Sequence, residues 1–132
     1  MSFTDEIKSR LVAQGVTDLI LVGMKPVLPD EAGKKFITMR EYGGRAPWRV
    51  HNTGAATRYA RPGLQVIAHA PNTVDSLALA YQAYNALCFV NTVISGTTYI
   101  QVNPLQEPYP LGLDTKGRVQ FVFNVETLKT PS

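Results

Sequence analysis

The stretch EPYPLGLDTKGRVQFVFNVETL, Glu107 to Leu128, carries two messages, and which one prevails decides the fold. From Val119 onward it alternates as a strand does. Val119, Phe121, Phe123 and Val125 point to one face, while Arg118, Gln120, Asn124 and Glu126 take outward or edge positions. Val122 breaks the polar side, as expected where a neighbouring layer or subunit covers it. Upstream, Asp114-Thr115-Lys116-Gly117-Arg118 packs charge around glycine, a composition that suits either a reactive cluster or a turn. Asp114 and Gly117 flank Thr-Lys at the spacing of a type I turn followed by a residue with positive φ, where glycine costs nothing. A strand rather than a helix follows Gly117, which argues against a phosphate loop. The segment therefore reads as a hairpin. Pro108 and Pro110 keep its first arm short, as suits an edge, and Asp114, Lys116 and Arg118 form an exposed tip. There Asp114 and Arg118 either pair with each other or reach a neighbouring subunit.

Working outward, two helices are legible. The first is capped by Ser2 or Thr4, has Asp5 and Glu6 at the positive end of its dipole, and ends at Gly15. Phe3, Ile7 and Leu11 form its apolar stripe. The second opens at Pro71-Asn72-Thr73, with Asn72 or Thr73 as its cap and Asp75 in its first turn. Its stripe is read as Val74, Leu77, Tyr81, Tyr84 and Cys88, flanked by alanines that suggest close packing on a sheet. Lys34 to Tyr42 and Leu64 to Ala70 alternate as strands, with His69 facing a half-exposed sheet surface. Thr17 to Gly23 is a strand or a packed extended piece, and Met24 to Gly33 a loop. Asn91 to Gln106 is extended, with a tight turn at Ser95-Gly96. This gives one α+β domain over 1–132, a mostly antiparallel sheet with both helices on one face.

At 45% hydrophobic and 17% charged, the chain has the balance of a globular protein. No apolar run approaches the ~20 residues that cross a bilayer, and no secretory signal opens it, so synthesis in the cytoplasm is expected. The single cysteine, Cys88, sits among Leu87, Phe89 and Val90 and reads as a buried structural thiol. No metal site, cofactor motif or catalytic constellation is evident, so no catalytic residue is assigned.

The net charge of +3 is unevenly placed. Gly43 to Gly63 holds Arg45, Arg49, Arg58 and Arg61 interleaved with Trp48 and Tyr59, and is read as a long basic loop. Arginine with aromatics suits a single-strand nucleic-acid groove, and equally the anchors of a protein interface. The residues alone leave both readings open, beside that of a solvated loop.

The pattern as a whole resembles a family. EYGG closing a strand, LQVIAHA leading into a helix with AYQAYNAL, ISGTTYIQVNPLQEPYPLG, and finally DTKGRVQFVFNVE resemble the tail terminator or minor capsid proteins of long-tailed bacteriophages, over about Lys35 to Glu126. The resemblance implies a virion subunit that assembles into a hexameric ring at the head-proximal end of the tail tube. Such a ring ends tube growth, contacts the tube protein and the head connector, and lets genomic DNA pass without specific binding, with no membrane involved. It implies no catalysis. In that setting Arg45, Trp48, Arg49, Arg58, Tyr59 and Arg61 are expected at a subunit or tube contact or facing the lumen. A different neck or head-completion ring is the nearest alternative, a nucleic-acid-binding module the next, and a small enzyme the last.

Overall fold

The computed structural model describes residues 2–23, 28–29, 31, 33–43, 48–49 and 58–130, with the backbone alone for Trp48, Arg49 and Arg58. Its spine is the alternating segment itself, strand β9 (Val119–Lys129). Along Val119 to Glu126 it pairs on one side with β5 (Gly63–Ala70). On its other side two strands follow one another, β8 (Tyr109–Leu113) against Val119 to Val122 and β7 (Thr97–Pro104) against Val125 to Lys129. Strand β2 (Phe36–Tyr42) pairs antiparallel with β5, and β6 (Phe89–Ile94) with β7. With β1 (Leu19–Val22) at one end, the seven-stranded order is β1-β2-β5-β9-β7-β6, with β8 beside β9.

Strand β1 is the exception to the expected, mostly antiparallel layout. It runs parallel to β2, so the sheet is mixed. Residues 23–35 separate the two strands, and a parallel return needs roughly a dozen or more. Ser95 (φ 49°) and Gly96 (φ 83°) form the two-residue turn between β6 and β7. Positive φ at both positions matches the twist of the flanking strands.

The register sorts side chains onto two faces. Ile37 and Met39, Leu64, Val66 and Ala68, and Phe121, Phe123 and Val125 share the face that builds the core. Both helices cover this face. Helix α1 (Phe3–Ala13) begins with a capping box between Ser2 and Asp5 and buries Phe3, Ile7 and Leu11, as the spacing predicts. It buries Glu6 as well. The carboxylate accepts hydrogen bonds from Tyr99 (2.8 Å) and Thr97 (2.9 Å), so α1 is bonded to β7. Burial first, and the Glu6 carboxylate second, push the Tyr99 phenol above its usual range.

Helix α2 (Thr73–Ala86) is capped by Asn72, one of the two candidates, but its buried stripe is Ser76, Leu79, Ala80, Ala83 and Ala86. The large side chains chosen from sequence sit on its flanks or outside. Tyr84 is half-buried against Phe123, and Val74 is 76% exposed. The physical reason is distance: alanines let the helix axis approach the sheet, and Ser76 Oγ lies within hydrogen-bond reach of the Ala68 and Val119 carbonyls. Cys88 is exposed rather than buried. It lies past the helix cap, where the chain is already extended and its neighbours Leu87 and Phe89 take the inward positions.

The basic segment is less irregular than its composition suggests. Trp48–Arg49 (β3) and Arg58–Tyr59 (β4) pair antiparallel, and Ala60 then bridges to Lys129. An Ala83→Leu change forces a larger side chain between α2 and the sheet and should cost about 1–3 kcal/mol. Val74→Ala should stay within about 0.5 kcal/mol. Urea denaturation of the two variants checks the placement of the stripe.

Candidate functional site

The second face of the sheet carries no helix. Its rows, read across β2, β5 and β9, are Phe36-His69-Gln120, Thr38-Ile67-Val122, Arg40-Gln65-Asn124 and Tyr42-Gly63-Glu126. One end of this face is closed by the β8–β9 turn, and the rest lies open.

The turn forms as the sequence predicts. Asp114 Oδ1 accepts from the Lys116 and Arg118 amides (2.9 and 3.0 Å), and Gly117 takes φ 79°. Its charged pair, however, turns inward. The Asp114 and Arg118 side chains are almost entirely enclosed, which corrects the expectation of an exposed tip, and Lys116 alone of the three remains exposed. Arg118 Nη1 donates to Asp114 Oδ2 at 3.0 Å, and Nη2 donates to the carbonyls of Pro29 and Glu31. The guanidinium lies 4.8 Å from the Phe36 ring centre, and Phe36 stacks on His69 at 4.2 Å. His69 is 2% exposed rather than half-exposed. Its Nδ1 is 3.2 Å from Asp114 Oδ2 and its Nε2 is 3.2 Å from Thr38 Oγ1.

A hydroxyl, an imidazole and a carboxylate in series are the components of a nucleophilic triad, but the rest of the geometry gives them another task. The carboxylate is shared with a guanidinium and two amides, and the guanidinium ties β9 to the chain between β1 and β2. The cluster is a lock that joins the turn, residues 29 and 31, β2 and β5. A buried arginine is tolerable only with such partners. Burial depresses the His69 pKa most strongly; Asp114 opposes this, and the Arg118 charge adds to it. For Asp114, burial alone pushes the carboxyl up. The Arg118 and Lys116 amides, with the guanidinium and His69, outweigh this and hold it below its ordinary value.

The open part of the face is a groove of about 370 Å³ lined by Gly23, Thr38, Met39, Arg40, Gln65, Ile67 and Leu111. Arg40 donates to Gln65 Oε1 (3.0 Å) on its floor. Farther along, Tyr42 lies over Gly63, where an added β-carbon would clash with the ring, so glycine lets the ring rest in this position. A smaller hollow of about 160 Å³ follows, bordered by Tyr42, Arg61, Pro62 and Leu105. The lip of the face is β8, all five residues of which are exposed, including Tyr109 (41%), Leu111 (50%) and Leu113 (68%).

The residues of the basic segment are only partly brought together. Trp48 stands opposite Tyr59, and Arg49 opposite Arg58, in backbone register. Tyr59 and Arg61 are half-buried, and Arg45 lies outside the described residues. Among the described residues no group of three His, Cys, Asp or Glu side chains gathers to hold a metal ion, and no helix is long and apolar enough to cross a membrane.

Two outcomes follow from the lock. Unfolded His69 takes up a proton near pH 6.5, while the folded histidine resists it. Below that value the unfolded state binds more protons, so this contribution to stability is present above pH 6.5 and is lost as pH falls. Asp114 contributes stability present above its ordinary value of 3.8 and lost below it. Denaturation midpoints measured from pH 7 to 5 should therefore decline less in His69→Gln than in the native chain. Arg118→Leu leaves Asp114 buried without its counter-charge and should cost about 3–5 kcal/mol, whereas Lys116→Ala should be close to neutral in the same titration.

None of the curated proteins compared with the chain matches it. The sequence model of the family described as "Bacteriophage tail terminator protein" matches residues 10–131, from within α1 to just past the end of β9. That span contains both sheet faces, the lock and the β8 lip, so this chain belongs to the bacteriophage tail terminator protein family.

Proposed function

We propose that the chain is a structural subunit of a closed ring, hexameric in its assembled form, at the head-proximal end of a phage tail tube. The ring ends tube growth and offers a surface to the head's connector, and the genome passes through its lumen without sequence-specific contact. The observation that carries this reading is the family match over residues 10–131. Two features support it. The lock uses His69, Asp114 and Arg118 to hold the fold together, and the sheet presents an exposed, uncharged lip suited to association. A subunit that contacts its own copies, the tube and the connector needs such surfaces and needs no reaction. Head-to-tail contacts between identical subunits produce rings whenever the rotation closes.

The basic segment is assigned to protein contacts rather than to DNA. An arginine-lined lumen would grip the phosphate backbone of a genome that has to slide through it, and such binding weakens steeply with salt. Charge reversal at Arg45 and Arg49 should therefore impair ring formation or tail joining without changing any salt-dependent DNA retention. The direct test of function is a phage lacking the chain. Tails of uncontrolled length are expected in electron micrographs of the lysate. Normal tails beside full heads that leak DNA would assign the chain to the connector instead.

A further inference from the structure

Among the described residues the sheet leaves three strand edges, β1, β6 and β8, none with a charged residue, and β1 and β8 are the two that fit each other. Among the described residues β1 pairs only with β2, and β8 only with β9. Strand β1 reads Leu-Ile-Leu-Val, with Leu19 41% exposed, and β8 reads Tyr-Pro-Leu-Gly-Leu, exposed throughout. Free edges of this kind invite pairing, and monomeric proteins usually guard them with lysine, proline or a bulge. Strand β8 is guarded in part, because Pro110 removes one N–H and the register shifts at Leu111. Its apolar side chains remain uncovered.

We propose that copies of this chain meet head to tail, the β1 edge of one lying antiparallel along the β8 edge of the next, with Leu19 and Leu21 against Tyr109 and Leu111. The contact rests on the ring reading given above and specifies which surfaces close that ring.

Three observations select this pairing. The first is strand direction. Following the sheet from β1 through β2, β5 and β9, the directions leave β8 running opposite to β1. Rotation about an axis parallel to the strands preserves direction, so it brings β8 of one copy antiparallel to β1 of the next. Strand β6, the remaining edge, runs with β1 and is interrupted at Asn91 (φ 48°), so the same rotation would pair it parallel. The second is the face. Leu19 and Leu21 stand beside Phe36 and Thr38 on the helix-free face, Tyr109 stands beside Val122 on that face, and Leu111 lines the groove with Thr38. The third is charge. Asp18 directly precedes β1, Glu107 lies before β8 and Lys116 beyond it. Antiparallel pairing sets Asp18 toward Lys116, whereas parallel pairing sets it toward Glu107. The two edges differ, so the contact is heterologous and propagates until it closes. Pro110 and the shift at Leu111 limit the main-chain ladder, and side-chain packing supplies the rest.

The test uses Leu19→Cys and Leu111→Cys, which stand opposite each other in this antiparallel register, in a Cys88→Ser background, since Cys88 is exposed and would cross-link on its own account. Neighbouring cross-strand positions have β-carbons roughly 4.5–5.5 Å apart, close enough for a disulfide after small adjustment. After mild oxidation the double variant should give a ladder of covalent multimers on a non-reducing gel, and each single variant should give none. Rings seen by light scattering without a ladder overturn the contact and leave the ring intact. Dimers from either single variant mean like edges meet, which also overturns it. A native chain that stays monomeric at high concentration overturns ring and contact together. Should the cysteine pair fail to fold, Asp18→Lys and Lys116→Asp give an independent reading. Each alone should raise the concentration for half-assembly roughly twofold to fivefold, and the two together should restore it; no restoration overturns the proposal.

Discussion

Everything in this fold depends on β9 being bonded along both of its sides. Its eleven residues hold β5 on one side and both β8 and β7 on the other. The strand thereby joins the half of the sheet built before α2 to the half built after it. On the helix-free face Val122 sits where a polar residue was expected and is fully buried between its cross-strand neighbours Tyr109 and Ile67, while Gln120, Asn124 and Glu126 beside it stay half-buried. The alternation that made the segment readable is the alternation of a two-layered environment. Helices lie over Phe121 and Phe123, and the lock lies around Gln120 and Arg118.

The two faces have divided the work. The helix face holds the apolar core, with Glu6 as its one deep carboxylate, satisfied by two hydroxyls. The other face holds the polar lock and the open groove. Burying Arg118 there carries a desolvation cost that a hydrophobic residue would avoid. What the arginine adds is reach: a single side chain touches the turn, the chain between β1 and β2, and the Phe36 ring. For the ring subunit proposed above, fixing the β8 turn relative to β1 offsets that cost, because these two strands supply the edges of the proposed contact.

Legibility followed the range of the physics. Helix α1, the start of α2, the Ser95-Gly96 turn and the Asp114–Gly117 turn are set by neighbours within four residues and were read correctly from sequence. The stripe of α2 was not, since hydrophobicity ranks Val74 and Tyr81 above alanine while close approach to the sheet favours Ala80 and Ala83. Cys88 was misplaced by carrying helical spacing one residue past the cap. The parallel direction of β1 depends on a thirteen-residue return and has no local signal. The lock was the largest omission. His69 and Asp114 stand 45 residues apart and meet only because β5 and β9 pair in one register, which sets His69 opposite Gln120 near the turn. Family membership, by contrast, was carried by motifs spread along the chain and survived every local misreading.

The central proposal is one of place, that this subunit sits where the tail tube stops. Gold-labelled antibody raised against the chain, applied to intact phage and viewed by electron microscopy, measures that place directly. The account predicts a single band of label between the head and the tube. Label along the length of the tube, or at its far tip, would contradict it.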